Sequence, residues 1–367
     1  MSKIYFPNLN GLRFFAALAV IIHHTEQFKS IFGIENYWKL SFIKIIGNLG
    51  VTLFFVLSGF LISYIILSEK KKNGNINYKN FFMRRALRIW PLYFLIIFLS
   101  FFCFPYFEVL NFKLSANLNE DFYLKLILFI LFLPNFVLRI FPTTPFASQT
   151  WSIGVEEQFY IVWPLIISYT KNILRLFILL IILFPIIKFI LYYISIKTGS
   201  DDAWFHTSKI FSDLSISSLA LGSLSAYLVL EKKTTILNLI YNKWVLRTSS
   251  AFLFILLIYG EELPYLHYEI YSVLFTITIV NLATNSRTIK ISFENKILNY
   301  LGKISYGIYM FHPFCIVLSI NLMSSLEVHN TIYLYLLVLL LTILISGCSY
   351  HFFELRFLNL KNKYWST

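Results

Sequence analysis

Arg13 and His24 are the first pair of side chains along the chain that could do chemistry. Eleven helical steps of about 100° bring the second side chain to within about 20° of the first, about 16 Å further along the helix axis. An imidazole at membrane depth needs a polar partner or a water-filled cavity, whereas a histidine at the outer interface needs neither. Position alone leaves both a functional and an interfacial His24 open.

A cluster of arginines is the second candidate. Arg84, Arg85 and Arg88 precede Trp90 at the start of an apolar stretch. Arginine holds phosphate groups through paired hydrogen bonds, so such a cluster can bind an anionic substrate. Basic residues and tryptophan also anchor the cytoplasmic end of a membrane span without any ligand. Taken alone, the cluster slightly favours anchoring.

Two further polar groups lie within apolar stretches. Glu156 belongs to the most polar of them, where a carboxylate could orient or deprotonate a histidine, act as acid or base, or pair structurally with arginine. Tyr306, Tyr309 and His312 recur at steps of three, which places them on roughly one face of a helix. Both groups are candidates for a polar site inside the membrane.

Membrane helices must position these side chains. Of the 367 residues, 58% are hydrophobic and 13% are charged, a balance typical of a chain that lies largely in lipid. The net charge of +13 comes from basic residues in short loops between apolar segments, as expected of cytoplasmic loops rather than of a nucleic-acid-binding surface. The three cysteines have neither metal-binding nor redox spacing, so we expect no metal site and no disulfide framework.

Eleven segments are candidate membrane helices. They are residues 11–28, 45–68, 89–107, 122–139, 152–169, 173–196, 210–230, 245–260, 266–285, 302–325 and 332–353. The first is expected to be retained, because no small-residue cleavage site follows it. No repeat and no long hydrophilic stretch is visible, so residues 1–367 are predicted to form a single membrane domain.

Loop charges predict the topology. The loop 69–88 holds seven basic residues against one acid, so it should be cytoplasmic, as should the N-terminus two spans before it. Further basic segments carry Lys232, Lys233, Lys243, Arg247, Arg287, Lys290, Lys296, Lys303, Arg356, Lys361 and Lys363, and acidic loops carry Glu261, Glu262 and Glu327. The basic segments, including the C-terminal tail, are expected inside and the acidic loops outside.

An odd number of candidate segments separates two of the basic loops. Five lie between residues 69–88 and 231–247, and five crossings cannot return the chain to the same side. The weakest are 122–139 and 152–169, the second because carboxylates inside a span are costly. We therefore predict an all-α bundle of about ten transmembrane helices plus one re-entrant or buried segment near residues 134–158.

Taken in order, the motifs resemble the acyltransferase-3 family of multi-pass membrane acyltransferases over nearly the whole chain. The resemblance is carried by residues 9–13 with His24, Gly50 with residues 54–62, Arg84-Arg85-x-x-Arg88-Ile89-x-Pro91-x-Tyr93, residues 150–152, residues 155–160, and Ser305-Tyr306 with Tyr309 and His312. Asn10 departs from the family's usual Asp, and Thr52 stands where an acid is frequent.

The resemblance implies a bacterial inner (plasma) membrane enzyme that moves an acyl group, expected to be acetyl, from acyl-CoA to a hydroxyl of a cell-surface glycan or its lipid-linked precursor. Acetyl-CoA is then a substrate, and no permanently bound cofactor is expected. The expected catalytic residues are His24 and Glu156, and the expected binding residues are Arg13, Arg84, Arg85, Arg88, Tyr306 and His312. The alternatives are a transporter or flippase of lipid-linked glycan, which would also use buried charges, and a non-catalytic scaffold.

Overall fold

The protein is all-helical wherever its structure is described. A computed structural model describes residues 5–110, 121–199, 203–260, 266–285 and 293–361, and these ranges contain helices and no β-strand. The predicted all-α class is confirmed for them. Glu261, Glu262, Arg287, Lys290 and Lys363, which entered the predicted topology, lie outside the described residues.

Sixteen α-helices are formed within the described ranges. They are α1 (Leu9–Ile31), α2 (Ser41–Asn73), α3 (Tyr78–Phe98), α4 (Phe122–Ile130), α5 (Pro134–Ile140), α6 (Trp151–Tyr169), α7 (Ile173–Thr198), α8 (Ala203–Asp213), α9 (Ile216–Leu230), α10 (Thr234–Ile240), α11 (Lys243–Tyr259), α12 (His267–Thr284), α13 (Lys296–Lys303), α14 (Ser305–Ser325), α15 (Thr331–Ser349) and α16 (Leu355–Lys361). A π-helical turn follows α3 at Leu99–Cys103 and α15 at Tyr350–Glu354.

Six helical stretches in the described residues are long and apolar enough to cross a membrane. They are Ser41–Asn73, Tyr78–Tyr106, Ile173–Thr198, Ala203–Leu230, Ser305–Ser325 and Thr331–Leu360. Helix α1, with 23 residues, also has sufficient length, but charged and imidazole side chains lower its hydropathy. The predicted count of about ten spans therefore stays a prediction, as do the orientations of the two termini.

The weak segment 122–139 is broken into two short helices. Helix α4 has nine residues and α5 has seven, so neither is long enough to cross alone. Between them Phe132 has a left-handed backbone with φ of 58°, and Gln158 on α6 donates to its carbonyl oxygen at 2.8 Å. Where a helix is interrupted at membrane depth, its free backbone groups require such internal partners. The break between α4 and α5 is compatible with the prediction of a segment that does not cross the membrane.

Small residues allow α2 to approach its neighbours closely. A Cβ added to Gly59 would lie 2.1 Å from the carbonyl oxygen of Leu219, and one added to Gly222 would lie 2.1 Å from that of Val56. Close backbone approach through small residues is a common mode of helix packing in membranes. The same principle applies between α2 and α1, where a Cβ on Gly50 would lie 2.5 Å from the Ala16 carbonyl oxygen. These contacts fix α2 between α1 and α9.

Candidate active site

A cleft open to solvent collects the predicted polar residues from separate helices, and its empty space, counted together with the solvent at its mouth, is about 770 Å³. Its lining comes from α1, α2, α3, α6 and α14, and consists of Arg13, Phe54, Phe55, Ser58, Leu61, Ile62, Arg85, Arg88, Ile89, Ser152, Ile153, Glu156, Tyr160, Ser305, Tyr306 and Tyr309. Five of the eight predicted site residues therefore meet here. The other three, Arg84, His24 and His312, do not belong to this lining.

Three arginines face one carboxylate in the cleft. Arg13, Arg85 and Arg88 line it together with Glu156, and their excess of positive charge suits an anionic ligand. Arg85 is 8% exposed, and its buried Nε has no hydrogen-bond partner among the described residues. A buried guanidinium donor without a partner is costly unless a ligand satisfies it. The cleft thus has the charge and the available donor for phosphate recognition.

Arg84 is oriented differently from its neighbour Arg85. Its Nη2 lies 3.4 Å from Oε2 of Glu69, and both side chains are largely buried. Glu69 also accepts from the backbone N–H of Asn77 at 2.9 Å, so this pair joins the end of α2 to the start of α3. Arg84 does not belong to the lining of the cleft, and its contact with Glu69 stabilises the turn between the two helices, so its predicted role in substrate binding stays a prediction.

Glu156 is held by two hydroxyl groups. Ser58 Oγ donates to its Oε1 at 2.7 Å, and Tyr160 donates its phenolic hydrogen to Oε2 at 2.6 Å. Hydrogen bonds to a carboxylate are short and strong, so they fix the position of this side chain in the cleft. Among the described residues, no hydrogen bond joins Glu156 to His24, so of the roles that the sequence left open, a direct contact with this histidine is not seen.

His24 is instead hydrogen-bonded to His312. The Nδ1 atom of His24 lies 2.9 Å from Nε2 of His312, and Nδ1 of His312 lies 2.6 Å from the carbonyl oxygen of Tyr309. Because a carbonyl only accepts, His312 must donate from Nδ1, and its Nε2 in the neutral ring is then an acceptor. His24 must therefore donate from Nδ1, which leaves its own Nε2 with a free lone pair. This is the tautomer that a general base requires.

Tyr309 connects the two histidines to the cleft. It lines the cleft, and its hydroxyl donates to the carbonyl oxygen of Gln149 at 2.7 Å while Ser152 Oγ lies 2.8 Å away as donor. Its backbone carbonyl holds His312. His312 is fully buried, whereas His24 is partly exposed. The hydrogen-bonded chain from Tyr309 through His312 to His24 is called the histidine relay below.

The neighbouring His23 has a different environment. Its Nδ1 donates to the carbonyl oxygen of Ile43 at 2.8 Å, and its ring packs so closely on α2 that a Cβ on Gly47 would lie 2.5 Å from it. Its contacts join α1 to α2.

Several residues of the site were not singled out from the sequence. Tyr160 is four residues after Glu156 and so lies on the same helical face, a signal that could have identified it. Ser58 is separated from Glu156 by 98 positions in the sequence, so no local pattern could predict their contact. Ser152 lies within a motif of the family resemblance and Gln149 directly precedes that motif, but their hydrogen bonds to Tyr309 depend on tertiary packing.

Comparison with known proteins identifies the class. The acyltransferase-3 family model, described as an acyltransferase domain, matches residues 6–351. The chain therefore belongs to this family of acyltransferases, which confirms the resemblance drawn from its motifs. A transferase is accordingly the class of enzyme that the family and the helical membrane fold define. No solved structure matches this chain significantly.

Two relatives of the chain are named for O-acetyl transfer. The chain is 28% identical to the peptidoglycan O-acetyltransferase OatA of Listeria monocytogenes, over 96% of this chain and 56% of that protein. It is 26% identical to the O-acetyltransferase OatA of Staphylococcus aureus, over 96% of this chain and 57% of that protein. The chain thus spans little more than half the length of these relatives.

Proposed function

We propose that this protein transfers an acetyl group from acetyl-CoA to a hydroxyl of a cell-surface glycan, or of its lipid-linked precursor, in the plasma membrane of a bacterium. One observation carries the proposal. Tyr309 lines the arginine-containing cleft and is connected through His312 to His24, whose Nε2 is free. Family membership removes the support for the alternative of a transporter or flippase.

The donor binds in the cleft. Its phosphates carry the negative charge that Arg13, Arg85 and Arg88 would offset, and guanidinium groups suit phosphate through paired hydrogen bonds. The three arginines lie toward the end of the bundle that carries the basic loop 69–88, the end expected in the cytoplasm, where CoA thioesters are available. The apolar part of the cleft, including Phe54 and Ile62, receives the uncharged arm that ends in the thioester.

Histidine chemistry then completes the transfer. Nε2 of His24 takes the proton of the acceptor hydroxyl as its oxygen attacks the thioester carbonyl, and a C–O bond forms. The C–S bond breaks, and the CoA thiolate takes the proton back from His24, so that the products are the acetyl ester and free CoA. A positioned base contributes about 10²- to 10⁴-fold to such a step. An acetyl-histidine intermediate would use the same free Nε2 as nucleophile.

Glu156 is assigned a role in orienting the arginines of the cleft. Because its two hydrogen-bond donors already hold it and it lies among arginines, it orients those cations rather than abstracting the hydroxyl proton. The proposed acceptor class follows the relatives, since the one from Listeria monocytogenes is a peptidoglycan O-acetyltransferase. Peptidoglycan or its precursor is therefore the first acceptor to test.

Transfer of label tests the proposal. Membranes containing the protein are incubated with radiolabelled acetyl-CoA and cell-wall glycan, and label in the glycan is counted at matched protein levels. We expect His24→Ala and Arg85→Ala to abolish or strongly reduce transfer, while the controls His23→Ala and Arg175→Ala, on an exposed arginine of α7, retain it. Full transfer by folded His24→Ala protein would refute the assignment of the base.

A further inference from the structure

A second cavity, whose empty space is about 1340 Å³ when the solvent at its mouth is included, lies next to the donor cleft. Phe55 lines both, and Trp151 lines the second cavity while the next residue, Ser152, lines the first. The rings of Phe55 and Trp151 pack edge to face with centroids 6.1 Å apart. The two cavities therefore share an aromatic wall, which we call the Phe55–Trp151 wall.

Charges in the second cavity are arranged in pairs. Arg139 donates from Nε and Nη2 to the two carboxylate oxygens of Asp213, both at 2.7 Å, and Lys188 lies 3.2 Å from Glu269. Only the exposed Lys209 adds a further cation to this lining. The donor cleft has the same balance of three cations to one carboxylate, but among the described residues none of its three arginines forms an ion pair within 4 Å. The second cavity is thus much less suited to a polyphosphate ligand.

Uncharged polar groups and aromatic rings make up much of the remaining lining. Hydroxyl groups come from Ser208, Ser212 and Tyr268, and an amide comes from Asn48, whose Nδ2 donates to the Tyr268 hydroxyl at 3.1 Å. Trp151 contributes an aromatic surface. A saccharide presents many hydroxyl and amide groups on an apolar ring, so a cavity with dispersed donors, acceptors and aromatic rings fits its chemistry.

We propose that the second cavity binds the saccharide acceptor, with Arg139 and Asp213 presenting a planar set of hydrogen-bonding groups to its hydroxyls. This inference rests on the proposed function, because a transfer between two substrates requires a second site and the donor cleft accounts for one. The acceptor hydroxyl approaches the thioester from the other side of the Phe55–Trp151 wall. Donor and acceptor thus enter from separate cavities.

Binding to the purified full chain in detergent separates the two sites. Equilibrium dialysis measures a radiolabelled tetrasaccharide of alternating N-acetylglucosamine and N-acetylmuramic acid, and a parallel experiment measures CoA. Ser212→Phe adds a ring to the second cavity, and Thr207→Phe adds the same ring on an exposed position of α8 outside the lining. We expect Ser212→Phe to weaken tetrasaccharide binding at least about tenfold, since a filled cavity must expel either ligand or its own lining. CoA binding should not change.

Lys209→Ala provides a second variant that needs no repacking, because Lys209 is exposed. It should also weaken binding of the tetrasaccharide without affecting binding of CoA. Wild-type tetrasaccharide affinity in both variants would overturn the proposal, as would CoA binding by wild type without any tetrasaccharide binding. Tetrasaccharide binding that depends on Ser212 but is accompanied by no CoA binding would uphold the saccharide site and refute the proposed acetyl-CoA donor instead.

Discussion

The hydrogen bond between His24 and His312 predicts a defined loss of rate. His312→Ala removes the acceptor that lies 2.9 Å from Nδ1 of His24, so the His24 ring can adopt its other tautomer and other rotamers. Loss of a hydrogen-bond partner for a buried polar group costs about 1–3 kcal/mol. Since about 1.4 kcal/mol corresponds to a tenfold change in rate, we expect kcat for acetyl transfer to fall by roughly 5- to 150-fold.

His312→Gln is the conservative test of the same relay. Its amide oxygen can accept from His24 and its amide N–H can donate to the Tyr309 carbonyl, as the native imidazole does. We expect this variant to recover part of the lost kcat. KM for acetyl-CoA should stay near the wild-type value in both variants, because the arginines that hold the donor are unchanged.

Steady-state kinetics on purified protein, with thermal unfolding as a check on folding, measures these effects. The control is His23→Gln, which changes a neighbouring imidazole hydrogen-bonded to Ile43 and not to the relay; kcat per folded molecule should be retained. The reasoning is wrong if folded His312→Ala protein keeps the wild-type kcat, or if glutamine and alanine at position 312 lower kcat equally.

Three further predictions concern the cleft and the packing around it. Arg85→Ala should raise KM for acetyl-CoA about tenfold or more, since hydrogen bonds to charged groups contribute about 1.5–3 kcal/mol. Arg84→Ala, in contrast, should lower the unfolding temperature with little change in KM. The reverse pattern would contradict the assignment of Arg85 to the cleft and of Arg84 to the helix turn. Tyr160→Phe removes one of the two hydrogen-bond donors to Glu156. It should raise the activation free energy by about 0.5–1.5 kcal/mol, which lowers kcat roughly 2- to 12-fold in the same kinetic assay. An unchanged kcat would show that this hydrogen bond does not contribute to catalysis. Gly222→Ala should destabilise the fold by about 1–3 kcal/mol, because its Cβ would lie 2.1 Å from a backbone atom. Gly307→Ala should destabilise the fold less, because its Cβ would first meet a serine side chain at 3.1 Å. Equal unfolding temperatures of the two variants in detergent would contradict this prediction.

Local patterns were sufficient for part of the site. The spacing of Arg13 and His24 correctly placed both on α1, and the polar stretch around Glu156 identified the carboxylate that lines the cleft. Tyr309 and His312, three residues apart, are joined within α14 by a hydrogen bond from the imidazole of His312 to the backbone carbonyl of Tyr309. In each case the information is contained in helical periodicity, which a sequence carries directly.

Tertiary contacts determined the rest. Arg84 and Arg85 are consecutive and chemically identical, yet neighbouring helical positions point about 100° apart, so one pairs with Glu69 and the other lines the cleft. His312 was predicted to bind substrate, and its contact with His24 spans 288 positions of sequence. The second cavity likewise draws on residues from Asn48 to Tyr268, so no single motif could indicate it.

Helix α2 couples the two cavities mechanically. Thr52 lines the second cavity and Ser58 the donor cleft, and the six residue steps from one to the other span about 9 Å along the axis. Gly59, in the same segment, allows backbone contact with α9, so α2 cannot shift without disturbing that packing. A displacement that alters the hydrogen bond of Ser58 to Glu156 would therefore also move Phe55 and change the wall. Rigid packing of α2 therefore keeps the distance between the donor cleft and the second cavity constant.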